Sequence, residues 1–499
     1  MTNGRHKRGR GSTPGVRGAA GSSASSAAPA SSGPPPLGDA ARDLAFRRLS
    51  RQASRYPNME IAGFDDSSAS IAALGELDAA FAHAIYDATV RRWLTLRFLL
   101  APLTHQPIEE MEARVQAALL ASAAQLALLD RVPTHAVINH AVEWCKQRIR
   151  PGAGAVANAV LRKFVSLIFH GGEKVRRDTW SNRRDEIPQS DGGALVLSGD
   201  LLPEGELERA AVATSHPAEL LGSWAKRAGE AEAVRLAHHG LASPPTVVNI
   251  QFASADAELR GVLEDPLRVA RHESGSHVVW RGGRPDLRAL LRARDDIWVQ
   301  DAAASEAVCS VLDLSPVPGL IIDVCAGQGT KTRQLVRAFP SAQIVATDSD
   351  PVRVETLSRV FAGSARVRVM DLKSLAKEYS ERADLVLLDV PCSNTGVLAR
   401  RPEAKYRYSV ESIRSLMGVQ RQIIADAIPL VSRGANGGRR GRLLYSTCSL
   451  EREENEGMSE WACEWHQFKG ARETRRSPGG GPGQADTAYH DGAYSTLLE

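Results

Sequence analysis

The chain has 499 residues, which is too long for one hydrophobic core and predicts about three domains. Hydrophobic residues make up 43% of it and the formal net charge is only +4, which excludes a uniformly basic polycation. The sequence contains no run of about 18 or more uncharged apolar residues, so no membrane span is expected. The basic N-terminus is not followed by an apolar stretch, so we expect no secretory signal either.

The cysteines are far apart and none has the CxxC spacing. This spacing argues against a disulfide framework and against a zinc site. We therefore predict reduced thiols, no bound metal and a cytoplasmic protein. The positions are Cys145, Cys309, Cys325, Cys392, Cys448 and Cys463.

The N-terminal third divides into a tail and a helical domain. Residues 1–40 are basic and rich in Gly, Ser, Ala and Pro, so they are predicted to be disordered. From 41 to 169, apolar residues recur every three or four positions, which predicts an all-α domain. Within it, Pro133 is expected to stop one helix and Thr134 to cap the next. The basic tail and the basic stretch 437–442 suit RNA phosphates, with a solvated charged surface as the alternative.

The sequence from residue 170 onward predicts a linker and two further domains. Residues 170–205 are charged and then Gly-rich, which is typical of a linker. Residues 206–298 mix helical and strand patterns and predict a small α+β domain. From 299 to 499 strands and helices alternate, which predicts a doubly wound, mostly parallel α/β sheet.

The segment LIIDVCAGQGTKT is predicted to be a strand, a Gly-containing turn and the start of a helix. Ligands of such sheets bind outside the carboxyl ends of the strands, and Gly327 and Gly329 allow the backbone to approach one closely. The next strand ends at Asp348, which is placed to bind a ribose. The third strand ends at Asp371, which is placed near an adenine edge. This pattern fits S-adenosylmethionine (SAM) better than NAD because a full GxGxxG is absent. The alternative is that these acids cap helices.

Two cysteines follow strands of the same sheet. Strand ADLVLLDV ends in Asp389 and leads through Pro391 to Cys392, and strand RLLYST leads to Cys448. A lone buried cysteine is more often a packing residue, but two at neighbouring strand ends beside a methyl-donor pocket suggest chemistry. A thiolate that adds to C6 of a pyrimidine makes C5 nucleophilic toward an activated methyl group. A carboxyl near N3 would stabilise the charge that develops on the ring.

These segments resemble the RsmB/Sun family of RNA 5-methylcytosine methyltransferases. DVCAGQGTKT resembles its SAM loop, DVPCSNTGVLARRPEAKY its Pro-Cys motif, YSTCSLEREENE its Thr-Cys motif and HDGAYSTLL the end of its catalytic domain. LLDRVPTHAVINHAVEWCKQ and GAGAVANAVLRKF resemble the NusB-like RNA-binding domain of the bacterial 16S rRNA enzymes. The fold implied is a NusB-like all-α domain, a small α+β domain and a Rossmann-like SAM-dependent methyltransferase domain.

The resemblance also implies roles for particular residues. Cys448 would be the nucleophile, Cys392 would assist product release, and Asp389 would contact the cytosine. Asp348 and Asp371 would be the ribose and adenine-side acids, with Lys331 and Arg353 near the cofactor. The implied cofactor-binding set is Cys325, Ala326, Gly327, Gln328, Gly329, Thr330, Lys331, Asp348, Arg353, Asp371 and Asp389.

The implied activity is SAM-dependent methylation of C5 of a cytidine in 16S rRNA, at cytidine 967, free or in an early small-subunit particle. One alternative is the same chemistry on tRNA or 23S rRNA. Another is a non-catalytic RNA-binding or ribosome-assembly factor, because the loop reads CAGQGTK where the family usually has CAAPGGK.

Overall fold

The computed structural model describes residues 39–60, 71, 74–254, 256–434 and 440–499. The tail predicted to be disordered therefore lies outside the described residues, except for its last two positions. The first half of the basic stretch 437–442 lies outside them as well. Among the described residues, no helix is both long enough and apolar enough to cross a membrane.

Among the described residues, six α-helices form the first domain around one hydrophobic core. Helix α1 is N-capped by Asp39, whose side chain accepts a hydrogen bond from the Arg42 backbone N–H. Thr134 is the first residue of α5 and not its cap, because Pro133 occupies that position and makes no side-chain capping bond. Helix α4 already ends at Leu128, before Pro133. The helices are α1 Ala40–Arg55, α2 Glu76–Arg91, α3 Trp93–Leu100, α4 Ala113–Leu128, α5 Thr134–Arg148 and α6 Pro151–Ile168.

Residues 170–205 are folded and are not the linker that their composition predicted. They form a three-stranded antiparallel sheet of β1 Arg176–Arg177, β2 Glu186–Pro188 and β3 Ala194–Val196, in the order β1-β3-β2. Ile187 and Leu195 are buried in the core of the helical domain. Glu186 is fully buried, and its negative charge is compensated by Arg177, whose Nη1 lies 2.6 Å from Glu186 Oε1. Local composition does not reveal such compensation of a buried charge.

The next region contains a helical part and a sheet. Helices α7 Glu206–Thr214, α8 Ala218–Ala228 and α9 Glu230–His239 share a core with Leu398 and Leu450 of the C-terminal domain. A four-stranded antiparallel sheet of order β5-β6-β4-β7 follows, with its own core. Its last strand crosses the predicted boundary at 298, because Val299 pairs with Val248. These elements are β4 Thr246–Asn249, α10 Ala257–Leu263, β5 Val269–Arg271, β6 His277–Trp280, α11 Arg284–Ala293 and β7 Trp298–Val299.

A seven-stranded sheet organises the C-terminal domain, in the order β10-β9-β8-β11-β12-β14-β13. The first five strands are parallel and the last two are antiparallel. This architecture confirms the predicted mostly parallel α/β sheet. The strands are β8 Leu320–Asp323, β9 Gln343–Ala346, β10 Val367–Val369, β11 Leu385–Asp389, β12 Arg442–Thr447, β13 Gly470–Arg476 and β14 Ala493–Leu498. The helices are α12 Ala302–Cys309, α13 Thr330–Ala338, α14 Pro351–Val360, α15 Leu372–Glu378, α16 Val410–Ala427 and α17 Glu456–His466.

Candidate active site

The two cysteines meet at the carboxyl edge of the parallel strands. β11 pairs with β12 in parallel, with Asp389 opposite Ser446, so the segments that follow the two strands emerge side by side. The Sγ atoms of Cys392 and Cys448 lie 3.4 Å apart. The Cys448 thiol also lies 3.3 Å from Asn394 Oδ1. Cys392 is buried whereas Cys448 is partly exposed, so Cys448 is the more accessible thiol.

Asp389 lies at the same edge and is paired with Lys331. The Lys331 ammonium donates to Asp389 Oδ2 over 2.6 Å, and the Ser446 hydroxyl donates to Asp389 Oδ1 over 2.8 Å. Burial alone would lower the pKa of Lys331, but the negative charge of Asp389 outweighs it and the pKa is raised. The positive charge of Lys331 also interacts electrostatically with the Cys448 sulfur. Lys331 therefore carries a stable positive charge close to the more accessible thiol.

The cofactor loop (residues 325–331) joins β8 to α13. Gly327 has φ 57° and Gly329 has φ 84°, a backbone region that favours glycine. A Cβ at Gly329 would lie 2.7 Å from the Phe361 ring, whereas one at Gly327 would have no neighbour within 4 Å. Ala326 is buried beneath the loop and Gln328 is exposed at its tip. Thr330 begins α13, which directs the N-terminus of that helix toward the sheet edge.

Cys325 lies half-buried beneath the cofactor loop and packs against the hydrophobic core of the sheet. Burial, together with the negative charge of Asp323 and other nearby acids, raises the pKa of its thiol. A thiol in this state is a poor nucleophile. Cys325 thus has the character of a packing residue in the loop.

The two predicted strand-end acids differ in their surroundings. Asp348 is buried and accepts from the Gly327 backbone N–H over 2.9 Å, which fixes the loop against the end of β9. Arg353 lies 3.6 Å from the Asp348 carboxylate. Asp371 is exposed and caps α15, where it accepts from the backbone N–H groups of Lys373 and Ser374. The Ser374 hydroxyl also donates to Asp371, and this bond together with the backbone bonds lowers the pKa of Asp371, so the helix-cap alternative describes its present contacts.

Two buried acids at this edge were not among the predicted site residues. Asp323 ends β8, and its Oδ2 accepts from the Thr332 hydroxyl over 2.6 Å. Burial raises its pKa to about 7, and its Oδ1 has no hydrogen-bond partner within the described part of the chain. Glu454 lies beneath both cysteine segments and is fully buried. An acid at the end of an apolar strand could have indicated Asp323, but no local pattern separates Glu454 from Glu453 beside it.

Two family models match separate parts of the chain. Residues 311–476 match the family model described as 16S rRNA methyltransferase RsmB/F, and residues 39–166 match that of the NusB family. The chain combines a NusB-family domain with a methyltransferase domain of the RsmB/F family. This confirms the resemblance inferred from the sequence motifs.

Curated relatives and a solved structure match most of this chain. The ribosomal RNA small subunit methyltransferase B of Erwinia tasmaniensis is 28% identical over 77% of this chain and 81% of its own. The probable ribosomal RNA small subunit methyltransferase B of Synechocystis is 28% identical over 86% of this chain and 90% of its own. The crystal structure of PH0851 superposes with a TM-score of 0.67 and 20% identity, covering 91% of this chain and 98% of that one. This last similarity shows the fold.

Proposed function

We propose that this protein is a cytoplasmic SAM-dependent methyltransferase that modifies C5 of a cytidine in 16S rRNA. The observation that carries the proposal is the pair of thiols 3.4 Å apart beside Asp389 and the cofactor loop. A pyrimidine C5 methylation that proceeds through a covalent adduct requires a nucleophilic thiol and a second group for its release. The names of the bacterial relatives, which are small-subunit rRNA methyltransferases, support rRNA as the substrate.

The residues around the cofactor loop fit a cationic methyl donor that bears a ribose. Asp323 Oδ1 and Thr347 Oγ1, at the ends of adjacent strands, are buried and without partners among the described residues. Asp348 presents a carboxylate beside the loop, as a ribose diol requires. We propose that these groups and the cofactor loop hold SAM, with Arg353 and Asp371 on its adenosine side. When bound, SAM supplies a methyl group activated by a sulfonium.

In the proposed reaction the Cys448 thiolate forms a bond to C6 of the cytosine, and the C5–C6 double bond supplies electrons to C5. C5 would then accept the methyl group while the bond between that methyl group and the donor sulfur breaks, which leaves a neutral thioether. Loss of the C5 proton to a base and breakage of the Cys448–C6 bond restore the aromatic ring, with Cys392 assisting release of the thiol. The Lys331 ammonium interacts with the Cys448 sulfur, and Asp389 faces N3, where charge develops. A base within structured RNA must leave its stack to reach these groups.

The test uses purified protein, SAM and a 16S rRNA transcript. Cys448→Ala should abolish methylation, and Cys392→Ala should allow attack but slow release, so that a protein–RNA adduct accumulates on denaturing gels. Cys463→Ala, which removes a partly exposed thiol of helix α17, serves as the matched control and should behave like the unmodified protein. The absence of an adduct from the Cys392→Ala reaction would contradict the assigned roles.

The target nucleotide is identified by bisulfite sequencing of RNA from cells with and without the gene. Loss of 5-methylcytosine at cytidine 967 of 16S rRNA is the expected result. A change confined to tRNA or 23S rRNA would retain the chemistry and reassign the substrate. A third outcome is that the 5-methylcytosine pattern of all RNAs is unchanged and calorimetry detects no heat of SAM binding at millimolar ligand. That outcome would instead indicate a non-catalytic RNA-binding factor.

A further inference from the structure

Glu454 joins the segments that follow the two cysteines. Its Oε1 accepts from the Ser393 backbone N–H over 3.0 Å, and its Oε2 accepts from the Ser449 hydroxyl over 2.6 Å. The Ser393 hydroxyl also donates to Oε2. Ser393 directly follows Cys392 and Ser449 directly follows Cys448. A single side chain thus fixes the spacing between the two thiol-bearing segments.

The same carboxylate anchors these segments to helix α16. Gln420 Nε2 donates to Glu454 Oε1 over 2.9 Å and to the Pro391 carbonyl over 3.0 Å. Pro391 directly precedes Cys392. The Pro-Cys segment is therefore held on both sides of its thiol by one connected group of hydrogen bonds.

Glu454 is surrounded by donors. The Ser449 hydroxyl oxygen accepts from the Glu451 backbone N–H over 2.9 Å, so its own proton is free to be donated to Glu454. The Ser393 backbone N–H and the Gln420 amide can only donate. Glu454 makes no ion pair within the described part of the chain, so its charge is compensated by hydrogen bonds alone. Burial raises the pKa of Glu454 above its usual value, and these donors oppose that rise because a carboxylate only accepts hydrogen bonds.

The two thiols interact with charges of opposite sign. Lys331 acts on Cys448, whereas Glu454 acts on Cys392. The pKa of Cys392 is raised well above its usual value by its hydrogen bond with Cys448, by burial, and by the negative charges of Cys448 and Glu454. The titratable groups that face Cys392 are Cys448, Glu454 and Tyr445, and Tyr445 donates its hydroxyl proton to the Glu454 carbonyl.

We propose that Glu454 is a positioning residue that clamps the two cysteine segments together and keeps Cys392 as a neutral thiol while Cys448 attacks. Cys392 then does not compete for C6 and retains its proton until release. This role rests on the proposed function, which requires two thiols with different tasks. A carboxylate without a counter-ion beside one thiol and an ammonium beside the other supplies that difference.

Alkylation of Cys392 tests the charge effect without RNA or SAM. The full-length protein is treated with iodoacetamide across a pH series, and each cysteine-containing peptide is quantified by mass spectrometry. Glu454→Gln keeps the shape and removes one of the negative charges that raise the pKa of Cys392, so the reactivity of Cys392 at pH 8 should rise several-fold. Glu453→Gln, at the exposed neighbouring position, should leave the profile unchanged. An unchanged Cys392 profile in folded Glu454→Gln protein would overturn the charge effect.

Glu454→Asp tests the clamp. The aspartate keeps the charge but is one methylene too short to reach both serines. Cys392 should therefore retain its alkylation profile, while the single-turnover methylation rate should fall at least tenfold. A methylation rate equal to that of the unmodified protein would overturn the clamp. This measurement tests the clamp even if the Glu454→Gln protein does not fold. If the unmodified protein methylates no RNA, the proposed function fails, but the alkylation series still tests the effect of Glu454 on Cys392.

Discussion

Lys331 Nζ lies 2.6 Å from Asp389 Oδ2, which ties the first turn of helix α13 to the end of strand β11. Both side chains are largely withdrawn from solvent, with 15% of Lys331 and 35% of Asp389 exposed. This ion pair therefore holds the cofactor loop against the Pro-Cys segment. In the proposed function, the methyl donor and the substrate base meet at this point.

Breaking this ion pair on one side should destabilise the protein more than removing it from both sides. We expect Lys331→Met and Asp389→Asn each to lower the free energy of unfolding by about 1–3 kcal/mol, because each leaves a withdrawn charge unpaired. The double variant should lose less than the sum of the two, as measured by urea unfolding. The exposed pair of Arg452 and Glu460 is the control, and its single variants should change stability by less than about 1 kcal/mol. Additive losses at Lys331 and Asp389 would contradict the coupling.

The two glycines of the cofactor loop should respond differently to a methyl group. Gly327→Ala should cost about 1–2 kcal/mol, the strain of the left-handed backbone alone, because its Cβ meets nothing within 4 Å. Gly329→Ala carries the same strain and places its Cβ 2.7 Å from Phe361, so a further ~1–3 kcal/mol is expected. Urea unfolding of the cofactor-free variants measures the difference. Equal losses would show that the Phe361 ring moves aside freely.

The buried Asp323 should make stability depend on pH. Its pKa is raised to about 7 in the folded protein, against about 4 in an unfolded chain. Between these values the folded state binds the extra proton, so the free energy of unfolding should fall as the pH rises from about 4 to about 7. Asp323→Asn should remove this fall, which is on the order of 4 kcal/mol for a shift of about three units. Asp426→Asn, at an exposed position of α16, should follow the unmodified profile. A slope that persists in the Asp323→Asn protein would refute the assignment.

The helical domain is joined to the catalytic domain at the junction of α2 and α3. The buried Tyr406 hydroxyl donates to the Val90 carbonyl over 2.6 Å and accepts from the Trp93 backbone N–H over 3.2 Å. Lys405 beside it donates to the Arg91 carbonyl over 2.8 Å, and burial holds its pKa well below the usual value.

Tyr406→Phe should therefore cost about 1–3 kcal/mol, because two buried backbone groups lose their partner. Limited proteolysis should also cut the variant faster between the two domains. Tyr408→Phe, at a partly exposed position two residues later, is the matched control and should change stability by less than the Tyr406 variant. Equal effects of the two variants would show that the junction bonds contribute nothing specific.

The sequence predicted those features that depend on order along the chain. Alternating strands and helices indicated the parallel sheet, and two strands that each lead into a cysteine indicated that Cys392 and Cys448 would meet at one edge. The linker assigned to 170–205 was wrong, because the charges of Glu186 and Arg177 cancel only in the folded sheet. Asp371 was predicted from its position alone, and position does not distinguish a ligand-binding acid from the helix cap that it forms.

What the sequence determined by itself was the set of chemical groups and the strand ends that bear them, since strand order and side-chain type follow from local pattern. Only the tertiary structure decided which charge accompanies which thiol. Glu454 and Lys331 are 123 residues apart in the numbering, yet Glu454 interacts with Cys392 and Lys331 with the neighbouring Cys448. The strength of a buried charge depends on distance and on exclusion from water, and both arise only when distant segments pack together.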